Sequence, residues 1–262
     1  MQARSSYRLH SRPDSTALSA RGLTKSFARG LARAASRTVA IDNVDIDLRA
    51  GELVALVGCE GSGKTALLQC LCGLLRRDSG IVELGGETFE GGGCPPQISY
   101  VPAVPLFYPF LTVRDVLQFR AARELCSSRR DEAVENALSA LELSDESACR
   151  ISVLPRDLLK RLAIAEALIS DPSVILVDTA VAETGSQLAR RALSALHDRA
   201  RSGAAILVAV RDASAVAFAV SRIMFMEQGR IRRAFSFDPE AAFAEDSGLV
   251  PRTSRFVAER IH

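Results

Sequence analysis

An eight-residue stretch, residues 58–65, constrains the fold more than any other part of the chain. It reads Gly-Cys-Glu-Gly-Ser-Gly-Lys-Thr and fits the pattern of a glycine, four residues, and then Gly-Lys-Thr. A short apolar segment, residues 53–57, precedes it, and residues 64–75 carry apolar side chains at helical spacing. This order predicts a strand, a tight loop and a helix that belong to one α/β unit.

The composition of the loop suits the binding of phosphate groups. Its glycines allow the backbone to curl closely around a ligand, and its N–H groups and the following helix N-terminus attract anionic oxygens. In this pattern Lys64 reaches the β- and γ-phosphates of a nucleotide and Thr65 holds Mg²⁺. A glycine-rich turn without a ligand is the alternative. The predicted nucleotide-binding residues are Gly58, Cys59, Glu60, Gly61, Ser62, Gly63, Lys64, Thr65 and Ala66.

A second segment supports a nucleotide site. Residues 174–177 are four consecutive apolar residues, and Asp178 follows them directly. A buried strand that ends in a carboxylate supplies the second Mg²⁺ contact in proteins with this type of loop. We therefore predict that Thr65 and Asp178 form the metal site.

The remaining chain alternates between strand-like and helix-like segments, which predicts a parallel sheet with helices on both faces. The middle of the chain differs, because three successive helical segments predict an inserted helical lobe at about residues 104–170. Predicted strands cover residues 18–27, 39–48, 53–57, 81–84, 98–101, 174–177, 205–210 and 222–226, with a possible hairpin at 229–233. Predicted helices cover residues 64–75, 113–124, 131–141, 158–169, 186–200 and 213–220.

Composition excludes several classes of function. A net charge of +2, the absence of Trp and an aromatic content of 5% argue against a nucleic-acid partner. No apolar run approaches the roughly 18 residues of a membrane span, so a membrane role requires a partner that supplies the span. The six cysteines are scattered without metal-ligand spacing, and we expect them to be reduced thiols.

The two ends of the chain differ from the middle. Residues 1–17 are rich in Ser and Arg and predict a disordered basic tail, with a transit peptide as the alternative. Residues 18–233 form the predicted globular domain. Residues 234–262 show only a weak helical pattern and predict a C-terminal tail.

Taken with the loop and Asp178, five further segments resemble the ATP-binding cassette (ABC) transporter nucleotide-binding domain. The resemblance covers about residues 18–233. It lies in residues 50–52, 74–81, 98–102, 111–117 and 160–172. It implies a P-loop NTPase core of three layers with a mostly parallel sheet, an N-terminal antiparallel β lobe and an inserted helical lobe. Phe27 stands where the family places an aromatic ring against adenine, although packing in the core is the alternative.

This chain departs from the family pattern at most of the catalytic positions. Ala103 replaces a glutamine after Tyr-Val-Pro, and residues 154–158 replace the signature Leu-Ser-Gly-Gly-Gln with Leu-Pro-Arg-Asp-Leu. Thr179 stands at the position of the catalytic glutamate, and Arg211 at that of the switch histidine. Residues 182–185 replace the Ser-Gly-Leu-Asp loop. Threonine does not titrate near neutral pH and Pro155 has no N–H, so we predict impaired hydrolysis.

The resemblance implies an ATP-binding subunit of a membrane transporter. Such a subunit binds ATP and Mg²⁺, pairs with a second cassette as a homodimer or heterodimer, and lies in the cytoplasm against the inner face of the cell membrane through a permease. We expect Phe107, Tyr108 or Phe110 to be exposed for docking to that permease. One alternative is a pseudo-ATPase that uses ATP as a structural or regulatory ligand outside transport. Another is a different P-loop enzyme, such as a small-molecule kinase or a GTPase.

Overall fold

The computed structural model describes residues 15–29, 36–178 and 187–236, and its strands form two sheets. The strands are β1 (Thr16–Arg29), β2 (Ser36–Arg49), β3 (Leu53–Val57), β4 (Ser79–Leu84), β5 (Glu87–Thr88), β6 (Ile98–Val101), β7 (Val174–Val177), β8 (Ala205–Val210), β9 (Arg222–Glu227) and β10 (Arg230–Ser236). The helices are α1 (Lys64–Leu71), α2 (Val113–Glu124), α3 (Ser127–Ala140), α4 (Arg156–Ile169) and α5 (Gln187–Arg201).

The larger sheet has six strands in the order β10-β9-β3-β8-β7-β6. The five strands from β9 to β6 in that order pair in parallel. At the other edge, β10 pairs with β9 in antiparallel fashion. The smaller sheet is antiparallel, in the order β2-β1-β4-β5. The predicted α/β class, with a mostly parallel sheet and an N-terminal antiparallel lobe, is therefore confirmed.

The large sheet separates two buried apolar clusters. Successive residues of β3 show how, because side chains alternate between the faces of a strand. Val54 and Leu56 pack with α1 and the small sheet, whereas Ala55 and Val57 pack with the side of the sheet that α4 and α5 cover. This arrangement buries β3 on both faces and holds the loop that follows it in a rigid frame.

The helical lobe consists of α2, α3 and α4. Thr112 caps α2, since its hydroxyl accepts from the backbone N–H of Asp115 while the Asp115 carboxylate accepts from the N–H of Thr112. Arg161 is buried in α4 and donates to the carbonyl of Leu141 at 2.9 Å, which ties α4 to the end of α3. In the described ranges, no helix is both long and apolar enough to span a bilayer.

Three expectations about local structure were wrong. Helix α1 ends at Leu71 rather than continuing to residue 75, because Gly73 adopts a φ of 78° and turns the chain. Residues 213–220 form only a short 3₁₀ turn at Ala213–Ala215 instead of a helix. Both predicted tails were too long, because Thr16 and Ala17 begin strand β1 and residues 234–236 continue strand β10. The rest of the expected tails, at residues 1–14 and 237–262, lies outside the described residues.

Candidate nucleotide site

The loop of residues 58–65 crosses from the end of β3 to the start of α1 and is tied to neighbouring strands. Its first N–H, from Gly58, donates to the carbonyl of Val210 at 3.2 Å, and the carbonyl of Ser62 accepts from Gly229 at 2.9 Å. Gly63 stands at the N-cap of α1 with a φ of 106°. A Cβ at Gly63 would lie 2.1 Å from the backbone oxygen of Ala40, so no other residue fits there without moving the backbone.

Lys64 is held at the centre of the loop. Its side chain is buried, and its ammonium donates to the carbonyls of Gly58 at 2.6 Å and Cys59 at 2.8 Å and to the hydroxyl of Ser62 at 3.2 Å. Burial lowers the pKa of Lys64, and the nearby carboxylate of Asp178 partly opposes that change. The ammonium thus spans the turn of the loop, and a phosphate can replace these carbonyls as its partner.

Asp178 lies directly after β7 and is 1% exposed. Its carboxylate accepts a hydrogen bond from the hydroxyl of Tyr100 at 3.3 Å, and that hydroxyl accepts in turn from the side-chain amide of Gln69 on α1 at 3.4 Å. Burial raises the pKa of Tyr100 to about 12, so the phenol stays protonated and donates. The Asp178 carboxylate is therefore held at the carboxyl end of the sheet through Tyr100, which in turn contacts α1.

The donor set fits Mg²⁺. The hydroxyl of Thr65 and the carboxylate of Asp178 are hard oxygen ligands, and Mg²⁺ takes few protein ligands while phosphates and water fill its other positions.

A cavity of about 840 Å³ opens beside the loop. This volume lies within the range of about 300–1,000 Å³ that small-molecule sites occupy. Its lining consists of Phe27, Ala40, Glu60, Gly61, Gly63, Lys64, Thr65, Ala66, Gln69, Ala103, Val104, Pro105, Arg156, Leu159, Lys160 and Arg211. The cavity therefore joins the small sheet, the loop and the helical lobe.

Phe27 lies on β1 at the edge of this cavity, and 43% of its surface is exposed. It belongs to neither buried cluster, so it does not fill the core. The ammonium of Lys25 lies 5.6 Å from its ring centroid. Its open ring face is suited to stacking against a flat heteroaromatic group.

Four of the predicted nucleotide- and metal-binding residues do not line this cavity, namely Gly58, Cys59, Ser62 and Asp178. Gly58, Cys59 and Ser62 line a second opening of about 1020 Å³ next to the β9–β10 hairpin. Arg211 touches both openings and forms an ion pair with Glu60 at 3.7 Å, with both side chains largely exposed. Thr179 and residues 182–185 lie outside the described residues.

Sequence reasoning missed several residues of the site. Tyr100 and Gln69 orient Asp178, and Arg156 and Lys160 line the cavity from the first turns of α4. The position of Tyr100 near Asp178 could have been predicted, because Tyr100 lies near the end of β6 and Asp178 follows β7. These strands are parallel neighbours whose carboxyl ends meet at one edge of the sheet. No signal in the sequence brings α4 to the loop, since that depends on how the helical lobe packs.

The fold and the site define a P-loop nucleotide-binding domain. The family model for ABC transporters matches residues 41–182, which is more than half of the chain. A curated relative, the hemin import ATP-binding protein HmuV of Nocardia farcinica, is 32% identical over 79% of this chain and 73% of its own length. The chain therefore belongs to the ABC transporter family and contains its nucleotide-binding domain.

Other similarities are more distant or partial. The spermidine/putrescine import ATP-binding protein PotA of Nitratidesulfovibrio vulgaris is 28% identical over 91% of this chain, which spans 62% of that relative's length. The dimeric ATP-binding cassette MJ0796 bound to ADP and phosphate superposes with a TM-score of 0.74 at 20% identity, covering 84% of this chain and 99% of that one. CbiO1 from Clostridium perfringens gives a TM-score of 0.73 at 23% identity, covering 94% and 96%. These two structures support the fold.

Proposed function

We propose that this chain is the ATP-binding subunit of an ABC-type membrane transporter and that it binds MgATP at residues 58–66 and Asp178. The observation that carries this proposal is the buried ammonium of Lys64, held by three oxygens of its own loop beside a cavity of about 840 Å³. A phosphate can replace the loop oxygens around this buried cation, and the N-terminus of α1 beside it favours negative charge.

Each part of the site has a separate role in this proposal. The loop N–H groups and Lys64 hold the phosphates, and the ring of Phe27 stacks on adenine. Thr65 and Asp178 hold Mg²⁺, which neutralises phosphate charge when bound. Tyr100 fixes the direction of the Asp178 carboxylate, so the metal ligand needs little reorganisation when the nucleotide arrives.

We further propose that the subunit hydrolyses ATP slowly. Ala103 lines the cavity without any group that could orient water, and Thr179 offers no carboxylate as a base. Pro155 at the N-cap of α4 lacks the N–H that the family signature would present to a partner's nucleotide. Arg211 supplies a cation without the acid–base chemistry of histidine.

The coupling partner in this proposal is a transmembrane permease that docks on the segment 104–110. The side chains of Val104, Leu106, Tyr108 and Phe110 are 73%, 89%, 68% and 68% exposed, whereas Phe107 packs against the larger core cluster. The expected exposure holds for two of the three aromatic residues. So many large apolar side chains on one short segment indicate a surface that a partner covers.

This segment also borders a groove of about 930 Å³ between the sheet core and the helical lobe. Arg120, Arg123 and Glu166 line the groove, and burial raises the pKa of Glu166. A groove with an apolar rim and a few charged groups is suited to a short helix of a membrane subunit. The subunit would then lie in the cytoplasm at the inner face of the membrane and pair with a second cassette.

The test of docking is a pair of charge substitutions. Phe110→Asp should abolish co-purification with the permease that accompanies the wild-type subunit, because it places a charge in an apolar contact. The free energy of unfolding should change by less than about 0.5 kcal/mol, because the site is exposed. Ile81→Asp, on β4 and 52% exposed, is the matched control and should leave co-purification intact. Retention of the permease by Phe110→Asp would refute the docking surface, and ATP binding without any permease would favour a regulatory role.

A further inference from the structure

Two cysteines that are distant in sequence lie side by side at the end of α1. Cys72 follows α1 directly and is completely buried, whereas Cys94 is partly exposed and lies in the segment that leads into β6. The thiol of Cys72 donates a hydrogen bond to the sulfur of Cys94. All six cysteines of the chain carry free thiols. The pair is therefore reduced, with its two sulfurs in direct contact.

The backbone on both sides of the pair holds this contact in place. The N–H of Gly92 donates to the carbonyl of Gly73 at 3.1 Å. A Cβ at Gly73 would lie only 2.9 Å from the carbonyl oxygen of Gly93, so the two backbones touch there. Cys72 and Cys94 are the residues next to Gly73 and Gly93 in the sequence. The thiol contact is thus fixed by the packing of two chain segments and does not require a flexible side chain.

Backbone carbonyls also surround the two sulfurs. The Sγ of Cys72 lies 3.4 Å from the carbonyl oxygen of Gln69, and the Sγ of Cys94 lies 3.2 Å from that of Ile98. Both thiols therefore have defined positions, one against the last turn of α1 and the other against the start of β6.

The two thiols differ in access and in acidity. Cys94 and Arg120 line the groove of about 930 Å³ described above, and Arg123, Glu124 and Glu166 also line it. The hydrogen bond from Cys72 lowers the pKa of Cys94 more than burial raises it, and the guanidinium of Arg120 adds to the lowering. The same hydrogen bond, together with burial, raises the pKa of Cys72. An accessible thiol with a lowered pKa beside a second thiol is the usual arrangement of a redox-reactive cysteine.

We propose that Cys72 and Cys94 form a peroxide-reactive pair that closes to a reversible disulfide. In the first step the Cys94 thiolate attacks one oxygen of hydrogen peroxide. The O–O bond breaks, the sulfur becomes a sulfenic acid, and the departing hydroxide takes a proton to give water. In the second step the sulfur of Cys72 attacks the sulfur of Cys94, the S–O bond breaks, and the hydroxide leaves as water with the proton of Cys72. Two thiols and one peroxide thus give one disulfide and two waters.

The disulfide would tie the end of α1 to the segment that enters β6. It closes a loop of about 20 residues, which restricts the unfolded chain and stabilises the fold. In a reducing compartment such a bond is transient, because thiol exchange opens it again. The chemistry of this pair is independent of the nucleotide, since the pair lies at the opposite end of α1 from Lys64.

The experiment is disulfide mapping of the full chain after treatment with hydrogen peroxide. Remaining thiols are blocked with N-ethylmaleimide, the chain is digested without reductant, and the peptides are identified by mass spectrometry. We expect a dominant linked peptide that joins Cys72 to Cys94, and dithiothreitol should restore both thiols. The oxidised chain should melt about 4–10 °C above the reduced chain.

Cys72→Ala and Cys70→Ala form a matched pair of variants. Both cysteines are buried in the same apolar cluster, so both substitutions leave a similar cavity. Cys72→Ala should lose the link and leave Cys94 as a sulfenic acid that dimedone traps, because the second thiol is missing. Cys70→Ala should keep the link and show little dimedone labelling at Cys94. Circular dichroism confirms that each variant is folded, and the mapping of the wild-type chain needs neither variant.

Several results would overturn the pair. They are the absence of a linked peptide, a link from Cys94 to Cys70, and links between chains through the exposed Cys59 or Cys126. A fall in the melting temperature on oxidation would show that the thiols do not lie in bonding geometry in the native fold. Equal dimedone labelling of Cys94 in both alanine variants would show that Cys72 is not its partner.

Discussion

The close approach of Gly63 to strand β2 makes Gly63→Ala a quantitative test of the loop conformation. The new methyl group would lie 2.1 Å from the carbonyl oxygen of Ala40 and 2.9 Å from the side chain of Met226. Holding a non-glycine residue at a φ of 106° costs about 1–3 kcal/mol. Forcing an extra carbon into a packed site costs about 1–3 kcal/mol more. The expected loss in the free energy of unfolding is thus about 2–6 kcal/mol.

Gly61→Ala is the matched control, because Gly61 has a φ of 77° but no atom within 4 Å of the added carbon. It should cost about 1 kcal/mol, from backbone strain alone. In a domain of this size each kcal/mol shifts the melting temperature by about 2–4 °C. Gly61→Ala should therefore melt about 2–4 °C below wild type, and Gly63→Ala at least about 4 °C below it.

The assays are differential scanning calorimetry without nucleotide and calorimetric titration with MgATP. Gly63→Ala should also lose measurable MgATP binding, since Gly63 begins the helix that carries Lys64 and Thr65. If Gly63→Ala melts and binds MgATP as Gly61→Ala does, the loop does not pack against Ala40 as described, and the reasoning fails.

Two further predictions concern hydrolysis and pH. Thr179→Glu should raise the rate of steady-state phosphate release by less than about tenfold. A working general base contributes a rate factor of roughly 10²–10⁴, but Pro155 still lacks its N–H donor in this variant. Brisk turnover by wild-type protein would contradict the slow-hydrolysis proposal. Asp78 accepts hydrogen bonds from the hydroxyl and N–H of Ser26 and from Lys25, which hold the pKa of its carboxyl well below its usual value. A lowered folded pKa stabilises the fold above the unfolded value, so Asp78→Asn should cost about 1 kcal/mol above pH ~4, discounted for partial exposure. That difference should shrink as the pH falls below ~4 towards the lowered pKa, and a cost that persists at low pH in urea titrations would refute the assignment.

Sequence patterns predicted the parts of the fold that local chemistry determines. The buried strands β3, β7 and β8 were predicted with the same bounds that the structure shows. The glycine pattern of residues 58–65 was sufficient to predict a strand, a loop and a helix. Helix bounds were less predictable: α1 stops early because Gly73 turns with a positive φ and lies against residues 91–93. That contact forms only after the glycine-rich segment folds back.

The site was predictable only where its residues are adjacent in sequence or follow a strand. The loop residues are contiguous in sequence, and Asp178 directly follows β7. Arg156 and Lys160 reach the cavity because α4 packs across the sheet, with Arg161 anchored on the end of α3. No local pattern encodes that packing, and the resemblance to the family assigned this turn to a partner's nucleotide instead.

The most direct test of the account is the effect of MgATP on the melting temperature of the wild-type protein and of Lys64→Ala. A ligand that binds only the native state at 100 times its Kd stabilises it by about 2.7 kcal/mol, which corresponds to a rise of about 5–10 °C for a domain of this size. We expect this rise for wild-type protein with millimolar MgATP and none for Lys64→Ala, whose loop lacks the buried ammonium. No rise in the wild-type protein, or an equal rise in both proteins, would contradict the claim that residues 58–65 hold a nucleotide.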